Sequence, residues 1–154
     1  LTVTFVSDEA TLGFAAVLIH LDIQDFIVMG HSIGGGMTTC CAALYAEHCK
    51  ALITMSAQAS IEEFTLAGIR EAKQVFKQER QLERLSKYHS NKAQWVLDSW
   101  TETCLSEDFK DWKLDDYLNQ IYCPLLVVVR GEFDELDHWL NRNALSNMPQ
   151  VRHK

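Results

Sequence analysis

Positive charge is in short supply in this sequence. Its 14 lysines and arginines face 21 aspartates and glutamates, for a formal net charge of −7. That balance argues against binding nucleic acid or an anionic membrane through general electrostatics. No stretch approaches the ~20 apolar residues of a membrane span, and no signal-peptide pattern is visible. The five cysteines, Cys40, Cys41, Cys49, Cys104 and Cys123, include no Cys-x-x-Cys pair. An odd number without that spacing fits neither a disulfide framework nor a zinc site. They read instead as reduced, mostly buried small hydrophobes of a cytoplasmic protein. What is present is a chain of 154 residues with 47% hydrophobic content, enough for the core of one globular domain.

The most informative stretch runs Phe26-Ile27-Val28-Met29-Gly30-His31-Ser32-Ile33-Gly34-Gly35-Gly36-Met37. A short apolar run ends on a glycine, a serine follows between glycines, and small residues suited to a helix come next. Gly-x-Ser-x-Gly at a strand-to-helix turn is the nucleophile elbow. The serine is held in a strained conformation at the tip of the turn, so the places two before and two after it, Gly30 and Gly34, are expected to need glycine to avoid a clash. The Ser32 hydroxyl then stands above the end of the sheet, and the backbone N–H of Ile33 points where an oxyanion would form. A phosphate cradle is excluded: no Gly-Lys-Ser/Thr follows, and residues 30–36 do not fit Gly-x-Gly-x-x-Gly.

Around this turn the pattern predicts alternating strands and helices. Residues 1–6 alternate in the β manner. Ser7, followed by Asp8 and Glu9, reads as a capped helix start, and Leu12, Ala15, Ala16 and Ile19 form one stripe on a helix over 8–21. The continuous apolar runs 26–29 and 51–55 predict parallel strands covered on both faces, joined by a helix over 33–48. Residues 56–59 leave the carboxyl end of the second strand, where open α/β sheets place their sites. Residues 60–120 hold no strand-like run. Ser60-Ile61-Glu62-Glu63 and 91–94 look like capping boxes, the first opening a charged helix towards Tyr88. The run 73–84 reads as a solvated face with i,i+4 pairs. Trp95, Trp100 and Trp112 read as packing within a helical layer, with a substrate-facing surface as the other reading. Finally Cys123-Pro124 opens a buried apolar strand that ends in Gly131-x-x-Asp134.

Gly30-His31-Ser32-Ile33-Gly34-Gly35 resembles the α/β-hydrolase fold family in its small esterase and lipase-like branch, over about residues 8–134. The resemblance implies a partial doubly wound, mainly parallel sheet, with a core over 1–59 and 121–154 and a helical cap inserted over 60–120. It implies a serine hydrolase acting on a carboxylic ester or related acyl bond of a small molecule, without metal or organic cofactor. Ser32 is the implied nucleophile, Ile33 the oxyanion donor, and Asp134 the acid that orients the catalytic histidine, in the order Ser, Asp, His. Glu132, Glu135 and Asp137 are substitutes for the acid.

The base stays open. His153 is the late histidine in the right direction, His138 falls within a helical stretch, and His31 adjoins Ser32 too closely for good geometry. His20, His48 and His89 read as helix-surface or helix-end residues. The family's first strands, and the early loop that supplies the second oxyanion donor, have no counterpart in the chain. The strand at residues 26–29 is therefore expected near a sheet edge, where it invites self-association. The rival reading is an α/β-hydrolase-like domain without catalysis that binds a ligand or partner.

Overall fold

The computed structural model describes residues 1–128. Three parallel strands carry the fold: β1 (Phe26–His31), β2 (Cys49–Met55) and β3 (Leu125–Val128), in the order β1-β2-β3. Each is an apolar run rich in the branched residues that suit a pleated surface. Helix α3 (Ile33–Leu44) joins β1 to β2 and packs on both. Its buried face is made of Gly35, Gly36, Thr39, Cys40 and Ala43, small enough for the helix to lie close to the sheet. Val28, Leu52 and Thr54 are buried beneath it. Side chains alternate along a strand, so Ile27 and Met29 turn to the other face, where they are 64% and 63% exposed. The expectation that this strand is covered on both faces therefore fails for β1.

Before β1 the chain departs further from its expected form. Residues 1–6 form no strand: a turn at residues 3–4 leads into helix α1 (Phe5–Asp8), with Ser7 inside it rather than capping it. The Ser7 hydroxyl donates back to the Thr4 carbonyl at 3.0 Å. A π-turn over Glu9–Gly13 then links α1 to helix α2 (Phe14–His20). This widening changes which face is buried. Val6 and Ala10 are fully buried and Phe14 and Leu18 half-buried, a seam at strict four-residue spacing. Four residues overshoot an α-helical turn by about 40°, and the wider π-turn absorbs much of that drift. The expected stripe points away: Leu12 is 68% and Ile19 82% exposed.

The π-turn is held from α3. The Tyr45 hydroxyl, just past that helix, donates to the Ala10 carbonyl at 3.2 Å. The Tyr45 ring also packs edge-on against Phe14 and Phe26, whose own centroids lie 4.9 Å apart. Three elements meet in this aromatic cluster: α2, the start of β1 and the end of α3.

Two compact units emerge among the described residues, 4–59 with 113–128, and 60–112 with 1–3. The first holds the sheet, together with helix α7 (Asp115–Leu118), which packs on α3. The second is helical: α4 (Glu63–Val75), α5 (Glu79–His89) and α6 (Ala93–Cys104). Ala93, Leu97, Thr101 and Cys104 of α6 form its buried stripe, and α4 contributes Thr65 and Ile69.

Four expectations change in the helical unit. The long helix towards Tyr88 is two helices, broken at residues 76–78. Neither capping box forms: α4 begins after an extended Glu62 and α6 after Lys92, both without a side-chain cap. Among the described residues, the ion pairs near the charged run are Arg70–Glu63 at 2.6 Å and Lys73–Glu102 at 3.7 Å, not i,i+4 pairs within it. Trp95 and Trp100 are exposed rather than packed, whereas Trp112 stacks on the buried Phe109 at 5.2 Å.

Candidate active site

Ser32 occupies the single residue between β1 and α3. Its φ of 53° and ψ of −128° lie in the left-handed half of backbone space, costly for a residue with a side chain. The surroundings hold it there. Its N–H donates to the Met55 carbonyl at the end of β2 (3.0 Å), and its own carbonyl accepts from Gly35 N–H (2.9 Å) and Gln58 N–H (3.0 Å). Both peptide groups are thus tied to the neighbouring strand end and to the helix. The residue itself is exposed and its side chain makes no helix-capping bond.

The glycines divide the work differently from the expectation. A Cβ on Gly30 would collide with the Gly34 carbonyl and come within 2.6 Å of Thr38 Oγ1, so glycine is obligatory there. A Cβ on Gly34 would meet nothing within 4 Å. What Gly34 contributes is its backbone, lying over Gly30. Gly35, not singled out from the sequence, is the second glycine the fold needs: a Cβ there would run into Ala57. The Thr38 and Thr39 hydroxyls donate to the Gly35 carbonyl at 3.0 and 2.8 Å, and Thr38 also to Gly34, fixing the first turn of α3.

Ile33 is the first residue of α3, where a helix leaves its N–H without an intrahelical partner. Among the described residues that N–H makes no backbone hydrogen bond. Next to Ser32, therefore, stands a donor at the positive end of a twelve-residue helix.

Two further residues belong to the stretch 56–59, which the sequence placed at the site end of the sheet without singling out either. Ser56 has a φ of 44°, a second strained serine beside the first. Gln58, whose backbone holds the Ser32 carbonyl, has its side-chain Nε2 buried without a hydrogen-bond partner. No motif announces either; only the pairing of β1 with β2 brings them to Ser32.

Asp134, Glu132, Glu135, Asp137, His138 and His153 lie outside the described residues. Of the described histidines, His31 ends β1 opposite Met55 and is exposed. His48 stands 3.7 Å from Asp25 at the other end of the strands, beside the Asp25–Lys50 ion pair of 2.9 Å. His20 and His89 lie in the last turns of α2 and α5. Among the described residues, no cluster of three His, Cys, Asp or Glu side chains could hold a metal ion, and no helix is long and apolar enough to cross a membrane.

A strained serine between a parallel strand and a helix, with the next strand end holding its peptide, is the arrangement of the α/β hydrolase fold. The model of that family matches residues 13–141, and the chain belongs to it. No curated protein matches the chain. Among solved structures it is similar to a carboxylesterase of the ammonia-oxidizing thaumarchaeon Nitrososphaera gargenis, with 16% identity and a TM-score of 0.65 over 92% of this chain and 58% of that one. A proline iminopeptidase of Mycobacterium smegmatis matches with 19% identity and a TM-score of 0.58, over 98% and 62%. The N-acyl homoserine lactonase AidH follows, with 19% identity and a TM-score of 0.51 over 86% and 54%. The chain thus spans less than two thirds of these proteins, and at such identities the likeness is one of fold.

Proposed function

We propose that this chain is the nucleophile-bearing part of a serine hydrolase that cleaves a carboxylic ester or related acyl bond of a small molecule. The observation that carries the reading is the backbone of the exposed Ser32, held at φ 53° by three hydrogen bonds. Strain held so firmly at a strand end supports a site there, because such strain gathers where function needs it.

In this reading Ser32 Oγ attacks the acyl carbonyl while a histidine takes its proton. The carbonyl oxygen gains charge and is met by the Ile33 N–H, aided by the helix behind it. Collapse expels the alcohol and leaves an acyl-serine, which water hydrolyses by the same steps. Asp134 orients the histidine, whose identity the sequence leaves open, His153 being its late candidate. Residues 60–120 are the cap insertion in this reading, and the exposed Trp95 and Trp100 are its candidates for binding an apolar substrate. The esterase, peptidase and lactonase names of the solved neighbours support acyl chemistry in general, and the five cysteines without a Cys-x-x-Cys pair support a cytoplasmic location.

The test is labelling by a fluorophosphonate probe, together with turnover of a short-chain p-nitrophenyl ester, before and after Ser32→Ala. Labelling and turnover that both vanish in the variant support the proposal. Labelling that survives the substitution overturns Ser32 as nucleophile. A folded protein that neither labels nor turns over ester favours the rival, a binding domain built on the same fold.

A further inference from the structure

Cys49 opens β2 and Cys123 stands just ahead of β3, and their sulfurs lie 3.5 Å apart although the residues are 74 positions apart in sequence. A slip in strand pairing makes this possible. Phe26 pairs with Cys49, but Ile27 pairs with Ala51, so Lys50 is an extra residue in β2. Such a bulge turns the residue before it to the opposite face. Cys49 is accordingly buried on the side of Leu52, while Lys50 is exposed. On the other side, the Pro124 carbonyl accepts from Leu52 N–H at 2.9 Å, which fixes the approach of Cys123 to β2. The Cys123 thiol donates to Cys49 Sγ, and the Cys49 thiol donates onward to the Ala51 carbonyl at 3.4 Å.

The five cysteines are not equivalent. Cys40, Cys41, Cys49 and Cys104 are buried, and Cys123 alone is partly exposed. Burial, then the neighbouring Cys123 thiol, pushes the Cys49 thiol up to about 12. The pair thus combines one accessible sulfur with one sheltered sulfur that stays protonated, and the accessible one is the natural point of attack. Closing a disulfide requires the sulfurs to approach by about 1.5 Å, a distance within side-chain rotation at a strand start.

We infer that Cys49 and Cys123 form a redox modification site, which a hydroperoxide converts to a disulfide clasping the starts of β2 and β3. In the first step the Cys123 thiolate attacks one oxygen of the hydroperoxide. An S–O bond forms, the O–O bond breaks, and the alcohol or water departs with the proton. In the second, Cys49 Sγ attacks the Cys123 sulfenic sulfur. The S–S bond forms, the S–O bond breaks, and the hydroxyl leaves as water with the Cys49 proton. Two thiols are oxidised by two electrons and one hydroperoxide is reduced, and a small dithiol reverses the change. The closed loop spans residues 49–123, so oxidation restricts the unfolded chain and raises the melting temperature.

The experiment treats the protein with stoichiometric hydrogen peroxide and counts free thiols after denaturation. The count falls by two from five. Peptide mapping then finds one cross-linked pair, containing Cys49 and Cys123, and dithiothreitol restores all thiols. The melting temperature of the oxidised form rises by on the order of 10 °C. The Cys123→Ser variant loses the cross-link and the shift. Five surviving thiols, a cross-link through Cys40, Cys41 or Cys104, or one found only between molecules on a non-reducing gel would each overturn the inference. Mapping the unmutated protein decides the matter even if a variant fails to fold.

Discussion

Gly35 and Ala57 lie so close that a Cβ on the glycine would fall 2.8 Å from the Ala57 Cα. This contact presses the first turn of α3 against the chain leaving β2, and Gln58, whose N–H holds the Ser32 carbonyl, is the very next residue. Gly35→Ala is expected to destabilise the protein by about 1–3 kcal/mol, the usual range for overpacking against backbone. Gly34→Ala, with open space around it, is expected to change stability far less. Urea denaturation of the two variants measures both. Equal losses would mean that the contact does not set the position of the helix.

The Tyr45 hydroxyl donates to the Ala10 carbonyl within the π-turn. Removing it in Tyr45→Phe keeps the aromatic cluster and deletes one hydrogen bond, so a loss of about 0.5–1.5 kcal/mol is expected. Val6→Ala, at the fully buried start of the same seam, is expected to cost about 2 kcal/mol. Leu12→Lys and Ile19→Lys, on the exposed side, stay within about 0.5 kcal/mol of the parent. If the two lysine variants unfold the protein while Val6→Ala does not, the buried face has been misassigned.

Among the described residues, β1 is hydrogen-bonded to one neighbour, β2, and presents Ile27 and Met29 on an open face. An apolar strand with an unpaired edge recruits further chains. Sedimentation velocity is expected to show association that grows with concentration, and the double variant Ile27→Lys, Met29→Lys to suppress it without loss of fold. A single monomer boundary at every concentration would rule this out.

The Lys50 ammonium, by its hydrogen bond above all, holds the Asp25 carboxyl below its ordinary value of 3.8, with His48 adding to the effect. A depressed folded-state value means that the pair stabilises the fold fully above the unfolded value and loses its contribution as pH falls through the lower folded one. Both side chains are exposed, so salt weakens the effect. In an NMR titration the Asp25 midpoint is expected to move up towards 3.8 in Lys50→Met. An unchanged midpoint would refute the coupling.

These cases also separate what could be read from the residues alone. The Ser32 turn was legible because its constraints are local: a strand end, a serine and an obligatory Gly30 fall within three residues. Pro124 likewise marked the entry to β3, and its carbonyl does join the ladder to Leu52. The seam Val6, Ala10, Phe14, Leu18 was equally present in the letters, but reading it requires a period of four, and a period of 3.6 selects Leu12 and Ile19 instead. Gly35 and Gln58 were hidden for another reason. Their importance comes from what β2 delivers to them across space, and nothing in their own neighbourhood encodes it. The same holds for Cys49 and Cys123, which looked like unrelated buried thiols until the bulge at Lys50 brought them together.

A π-turn is an α-helix carrying one residue more than its length requires, which gives the segment between Glu9 and Gly13 a further meaning. Excising one residue there would respace the seam to intervals of four, three and four, which an ordinary α-helix accommodates without widening. The segment is thus a place where the gene can lose a codon while the helix still meets α3 along one face. Length variation at this point would leave the Ser32 turn, built from a different part of the chain, undisturbed.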